Sequence, residues 1–417
     1  MVIARDEETG AEVRGPAPVA TRGAAASGRV LGRDRLSAGV YISVELSPLV
    51  VPERTAVVAA VRTLIGMGAA ARAGRTFDGA RWRYDPETLD AQAERMVREL
   101  PAAYAGDAGL PRLREAITPD LPFMVFLGDD RASLCIDHRL GDGFLGVMLT
   151  AGILSGRAAP GVFTSARDAD PLPAALNATF LHHPGRAADV VRDRLAERRT
   201  PRPVYTGPTV PAERGSLDLV TGIMDPDTYR SIAAWSRGRV PPTLAMMFAL
   251  REALHRVGVP VMDEGSILVD LRRYLPSGRS TLANFVVGHP IDAAAGLDAA
   301  GARFSRDLHS GRPLAALTAG LLTRGWRRPA AATAPAAAKA IVSDMGFLRA
   351  LEPLPWAGEG NVRVSVDPAG RNGITALTAV LKRRLNVSMS FDASLYDRST
   401  IAAACELLCR DPKGLLP

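Results

Sequence analysis

Of six histidines (His138, His182, His183, His255, His289 and His309), His138 has the setting best suited to chemistry. It follows the apolar run Ala132-Ser133-Leu134-Cys135-Ile136 and lies in the loop Asp137-His138-Arg139-Leu140-Gly141-Asp142-Gly143, just before a second apolar run. A histidine between a strand end and a helix start is held rigidly and exposed at a sheet edge, as a general base requires. Asp142 sits four residues on, and Gly143 permits backbone conformations closed to other residues. A single H-x-x-x-D-G match also reads as an ordinary Gly-Asp-Gly turn with a bystander histidine.

Two other chemistries compete for these residues. Gly141-Asp142-Gly143-Phe144-Leu145-Gly146 is formally G-x-G-x-x-G, the dinucleotide fingerprint. That motif follows its strand directly and needs an acidic residue ending a second strand about 20 residues on. Here Asp137-His138-Arg139 intervenes, and residues 161–170 read as loop, so the dinucleotide reading fails. The three cysteines, Cys135, Cys405 and Cys409, form no C-x-x-C pair, which argues against a disulfide framework or a zinc site. Cys135 alternates along a strand and reads as packing. Cys405 and Cys409 stack on one helix face.

The elements that must position His138 are legible in outline. Residues 39–46 read as a strand, 52–66 and 86–99 as helices. Residues 123–127 and 132–136 flank Gly128-Asp129-Asp130 as a β-hairpin leading into the histidine loop. A helix from Phe144 is expected to carry Phe144, Val147, Met148 and Leu154 inward. Four prolines between residues 201 and 211 exclude a helix or central strand. They mark a crossover linker at 201–215 between an N-terminal lobe, 37–200, and a C-terminal lobe, 216–417. In the second lobe, 242–257 reads as a helix, 266–271 as a strand, 361–367, 374–382 and 385–391 as a three-strand meander, and 398–409 as the last helix. Residues 1–36 lack apolar periodicity and read as a disordered tail.

Composition bounds the partners. The chain has 417 residues, 47% hydrophobic and 23% charged, which is ordinary globular composition for two or three domains. The longest apolar runs, 144–154 and 244–250, fall short of the ~20 residues that span a bilayer. The N-terminus lacks an apolar core of signal-peptide length, so a cytoplasmic protein is expected. Lys and Arg exceed Asp and Glu by 51 to 44, a net +7. The arginines are scattered and only 5% of residues are aromatic, unlike a nucleic-acid surface. A mild positive field suits an anionic small ligand or an acidic protein.

The ordered set of motifs resembles the chloramphenicol-acetyltransferase-like superfamily, which includes BAHD acyltransferases and the condensation domains of peptide synthetases. His138-Arg139-Leu140-Gly141-Asp142-Gly143 resembles its H-x-x-x-D-G signature. Val269-Asp270-Leu271-Arg272 and then Ala283-Asn284-Phe285 resemble its D-x-R segment and following G-N. Ser343-Asp344-Met345-Gly346 resembles an S-N-x-G element, and 390–397 the superfamily's last strand and helix. Asp137 stands where condensation domains usually carry the first of two histidines, and Ala283 and Asp344 depart from G-N and S-N.

The resemblance implies an α/β fold of two similar lobes, each a mixed β-sheet with flanking helices, arranged as a pseudo-dimer around a tunnel. It implies His138 as general base and Asp142 as a structural residue paired with Arg272 of the other lobe. Gly143, Asn284 and Ser343 are the accompanying site residues, with Ser343 a candidate donor to the oxyanion. The activity implied is transfer of an acyl group from acyl-CoA to a hydroxyl or amine of a small molecule, by a monomer with no permanent cofactor and no metal. A second enzymatic reading takes the acyl group from the phosphopantetheine of an acyl carrier protein. Arg324, Arg327, Arg328, Lys382 and Arg383 are candidates for either anionic donor, or a solvated face. A third reading is a catalytically silent scaffold of the same fold.

Overall fold

A computed structural model describes residues 24–156, 163, 170–199, 205–213, 215–323 and 332–417. The first half contributes β1 (Ala26–Arg29), β2 (Tyr41–Leu49), β3 (Thr76–Asp78), β4 (Arg81–Tyr84), β5 (Val97–Glu99), β6 (Phe123–Leu127) and β7 (Ala132–Asp137). The second half contributes β8 (Thr209–Pro211), β9 (Leu217–Met224), β10 (Glu264–Asp270), β11 (Val286–Asp292) and β12 (Thr333–Pro335). It ends with β13 (Lys339–Phe347), β14 (Trp356–Val366), β15 (Gly373–Leu381) and β16 (Arg384–Asp392).

β1-β4-β3 and β12-β8 form two small sheets, while the other eleven strands build two mixed sheets. One has the order β14-β2-β7-β6-β5, with only β5–β6 parallel. The other has the order β11-β10-β13-β15-β16-β9, with β13 parallel to both β10 and β15. Every residue of β7 and of β15 is buried, as a central strand covered on both faces requires. Helices Arg54–Ile65 and Gly143–Leu154 pack on the first sheet, and Pro242–Arg256 and Arg398–Arg410 on the second. The two-lobe α/β expectation is the architecture observed.

Four local expectations change. The first strand of the expected meander, β14, does not pair with β15 but crosses to the first sheet, beside β2. Its other edge is satisfied by side chains: the N–H groups of Val362, Val364 and Val366 donate to Asn386 Oδ1, Ser388 Oγ and Ser390 Oγ at 3.1, 3.0 and 3.3 Å. An edge that would otherwise expose donors is thereby stitched to the neighbouring sheet. The helix expected over 86–99 spans only Leu89–Met96, because 97–99 pair parallel to β6 instead. Phe144 and Met148, expected to point inward, pack against the first core but are only partly buried, because they also line a cavity.

The fourth change concerns the tail. Residues 1–23 lie outside the described residues, but 24–36 do not behave as a tail. β1 pairs with β4, and Gly28 lies against the Trp82 ring, where a Cβ would approach to 2.7 Å. Arg33 and Asp34 are buried, with Asp34 Oδ2 accepting from Arg72 Nη2 at 2.6 Å. Apolar periodicity could not reveal a segment anchored by charge pairs and one tryptophan.

The lobe boundary is crossed in both directions. Leu172, Ala175, Leu176 and Phe180 pack with the second core, while Leu348, Leu351, Leu354, Val362 and Val364 join the first. Pro201, Arg202, Pro203 and Val204 of the expected linker lie outside the described residues. Thr209–Pro211 that follow form a two-stranded sheet with β12.

Candidate active site

β7 delivers His138 at its end, where the His138 N–H donates to Val40 O at 2.9 Å. Asp137 and Arg139 close on each other through Arg139 Nε, 3.0 and 2.9 Å from the two carboxylate oxygens. Arg139 lies 4.4 Å over the Phe77 ring, and its carbonyl accepts from Arg72 Nη2 at 3.1 Å. The loop also meets the other lobe directly. A Cβ on Gly141 would sit 2.5 Å from the Leu282 carbonyl oxygen, so only glycine allows this approach.

Asp142 caps the helix Gly143–Leu154, its Oδ1 accepting from the Phe144 N–H at 3.1 Å. It is 3% exposed and faces Arg272 of the second lobe, with Nη1 and Nη2 at 2.8 and 3.1 Å from its two oxygens. The Phe285 N–H donates to Oδ2 at 3.0 Å. Burial alone would push the Asp142 carboxyl up, but the Arg272 charge and these hydrogen bonds hold it below the usual carboxylate range.

Arg272 uses its whole fork. Nε donates to Thr281 O at 3.0 Å, Nη2 also to Ala283 O at 3.1 Å, and Nη1 also to Asp270 Oδ1 at 3.2 Å. Its guanidinium lies 4.9 Å over the Phe144 ring. Lysine, with one compact ammonium, could not span these acceptors. Burial and the neighbouring Asp142 charge push the Asp270 carboxyl up, although Arg272 opposes them.

Beside this pair lies a cavity of about 210 Å³ between the lobes. Asp142, Gly143, Phe144, Val147 and Met148 form its wall on the first lobe. Leu268, Asp270, Arg272, Val286 and the stretch from Ser343 to Ala350, apart from Gly346, line it from the second. Of the residues singled out in the sequence, Asp142, Gly143, Arg272 and Ser343 therefore share one cavity. Asn284 meets His138 itself: its Nδ2 lies 3.1 Å from His138 Nδ1 and 2.9 Å from Ser37 Oγ.

The basic candidates are placed differently. Arg324, Arg327 and Arg328 lie outside the described residues. Lys382 and Arg383 occupy the tight turn between β15 and β16 with φ of 46° and 70°, and neither lines the cavity. Lys382 Nζ instead lies 5.4 Å from the Trp356 ring centroid. Besides Arg272, the cation lining the cavity is Arg349, exposed beside Phe347, which is itself 57% exposed. Arg349, Phe347, Asp344 and Ser37 were not singled out as individual site residues, because no motif spacing marks their position near the site. Asp344 accepts from Thr378 Oγ1 at 3.2 Å and the Gly346 N–H at 2.9 Å, which makes a bend in β13 rather than an obvious functional signal. Cys135 is fully buried against Ser43, and burial pushes its thiol up to about 12, so it is no nucleophile at neutral pH.

About nine tenths of the chain superposes on solved structures of acyltransferases and condensation domains. The trichothecene 15-O-acetyltransferase TRI3 from Fusarium sporotrichioides matches with a TM-score of 0.59 and 11% identity, over 92% of this chain and 95% of that one. The first condensation domain of the calcium-dependent antibiotic synthetase gives 0.58 and 15%, over 89% and 91%. This is the condensation-type acyltransferase fold. VibH, an NRPS condensation enzyme, gives 0.53 and 12%, over 90% of each chain. No family model and no curated protein matches the sequence. The fold implied by the H-x-x-x-D-G resemblance is thus the fold present, while sequence identity at this level carries the fold alone. No helix among the described residues is long and apolar enough to cross a membrane.

Proposed function

We propose that this protein is an acyltransferase that moves an acyl group from a phosphopantetheine thioester to a hydroxyl or amine of a small molecule, with His138 as general base. The observation that carries the reading is the clamp of Asp142 on Arg272. It spends a buried charge pair from two lobes on fixing one short loop, which carries His138 at one end and, at the other, Asp142 and Gly143 in the wall of an interlobe cavity whose lining does not include His138. An ordinary turn has no need of a partner 130 residues away.

In the reaction, the acceptor O–H or N–H gives its proton to His138 as its heteroatom attacks the thioester carbonyl carbon. The resulting oxyanion needs a hydrogen-bond donor, and the Ser343 hydroxyl in the cavity wall is the candidate. Collapse re-forms the carbonyl and breaks the C–S bond, and the departing thiolate takes the proton back from His138. No acyl-enzyme is required. The cavity lining is mostly apolar, which fits an acyl chain or an apolar acceptor body.

Arg349 at the cavity wall is the cation best placed for an anionic donor, ahead of Lys382 and Arg383. The test is to incubate the protein with acyl-CoA and, separately, with acylated carrier protein, and to read product masses with a panel of alcohols and amines. Transfer from either donor supports the reading, and the arm that works names the donor. No transfer from either, with a protein that binds both, would favour the silent scaffold.

A further inference from the structure

His138 can act as a base only if the nitrogen facing substrate carries a lone pair, and its tautomer is set by what meets the other nitrogen. Nδ1 is the nitrogen that faces Asn284, at 3.1 Å. The same terminal atom of Asn284 lies 2.9 Å from Ser37 Oγ. Both neighbours converge on one atom of the amide.

Turning an amide by 180° exchanges its nitrogen and oxygen at nearly the same point, and the two arrangements have opposite consequences. With the nitrogen inward, Nδ1 accepts a hydrogen bond, so neutral His138 carries its proton on Nε2 and has no lone pair there. With the oxygen inward, Nδ1–H and the Ser37 hydroxyl both donate to it, and Nε2 is left bare. The protonated state separates them further. An imidazolium bears N–H on both nitrogens, so an inward amide N–H would then face a ring N–H, whereas an inward oxygen keeps its hydrogen bond throughout. Ser37 is compatible with either orientation, because its hydroxyl both donates and accepts.

We infer that Asn284 is a positioning residue whose amide oxygen accepts from His138 Nδ1–H and from Ser37, locking the tautomer in which Nε2 is the free base. This inference rests on the proposed role of His138 and deepens it. The chain of Ser37, Asn284 and His138 links the N-terminal segment, the second lobe and the histidine loop, so three separate parts of the sequence meet at one imidazole. The charged groups around the histidine loop are already paired: Asp137 with Arg139, Asp142 with Arg272, and Asp34 with Arg72. The neutral amide is therefore the group that selects the tautomer.

The experiment is nitrogen-15 NMR of the histidine-labelled full chain without substrate, with the His138 signals assigned by their loss in His138→Ala. The wild type should show the proton on Nδ1 and a bare Nε2. Asn284→Asp, which can only accept, should keep this pattern and keep most activity. Asn284→Leu should lose the preference, with kcat lower by roughly 10–100-fold and KM changed little, as for other partners that orient a ligand or base. Ser37→Ala should give a smaller change in the same direction and guards against failure of Asn284→Leu to fold. An Nε2–H tautomer in the wild type, or an unchanged tautomer in Asn284→Leu, would overturn the inference. Full activity in His138→Ala alongside an Nδ1–H tautomer would instead remove the proposed base and leave the tautomer assignment standing.

Discussion

Cutting the Asp142–Arg272 pair from both sides tests whether the two lobes hold the histidine loop together. Asp142→Ala removes two contacts to Arg272, the acceptor for the Phe285 N–H and the cap at the Phe144 N–H. Breaking a buried pair costs about 3–5 kcal/mol, and losing the cap adds about 1 kcal/mol. Arg272→Ala leaves Asp142 buried with two backbone donors and no cation, again about 3–5 kcal/mol. If the residues acted independently, the double variant would lose the sum. Because each change removes the same pair, the double variant should fall short of that sum by about 2–3 kcal/mol. Urea unfolding of the four proteins at neutral pH, followed by circular dichroism, reads the cycle. The coupling should also depend on acidity. Asp142 is held below its unfolded value, so its contribution is fully present above about pH 4 and is lost as pH falls through its folded value. Strict additivity at pH 7 would refute the bridge, whatever the activity of the variants.

Two neighbouring glycines should respond in opposite ways. Gly141→Ala drives a Cβ to 2.5 Å from the Leu282 carbonyl and should lower the melting temperature by several degrees and abolish activity, while Gly143→Ala meets only the flexible Met345 terminus at 3.2 Å and should fold normally. Thermal denaturation of the two variants checks this contrast, and equal effects would contradict it. Iodoacetamide at pH 8 should leave Cys135 unlabelled and the native protein active, since burial holds its thiol near 12; peptide mass mapping that found Cys135 alkylated in folded protein would contradict the packing role.

The sequence carried the site further than the fold that holds it. The hairpin into Asp137-His138-Arg139 and the helix from residue 143 were legible because apolar alternation and turn residues are local signals. β9, β11 and β13 were not: β9 and β11 are edge strands whose partly exposed residues blur the alternation, and β13 is broken by an irregularity between Asp344 and Phe347. β14 read as a strand but not as a partner of β2, since register across some 320 residues leaves no periodic trace. Asp142 and Arg272 were expected to meet from the resemblance alone, and spacing would not have joined them. Ser37 was invisible, lying next to a segment without apolar pattern, and its role emerges only where Asn284 reaches back across 247 residues.

The measurement closest to the central claim is the rate of acyl transfer by His138→Ala, with folding confirmed by circular dichroism. The account predicts that kcat falls by roughly 10²–10⁴-fold, the contribution of a positioned general base, while the melting temperature stays within a few degrees of the wild type. A folded His138→Ala protein that transfers acyl groups at the wild-type rate would contradict it.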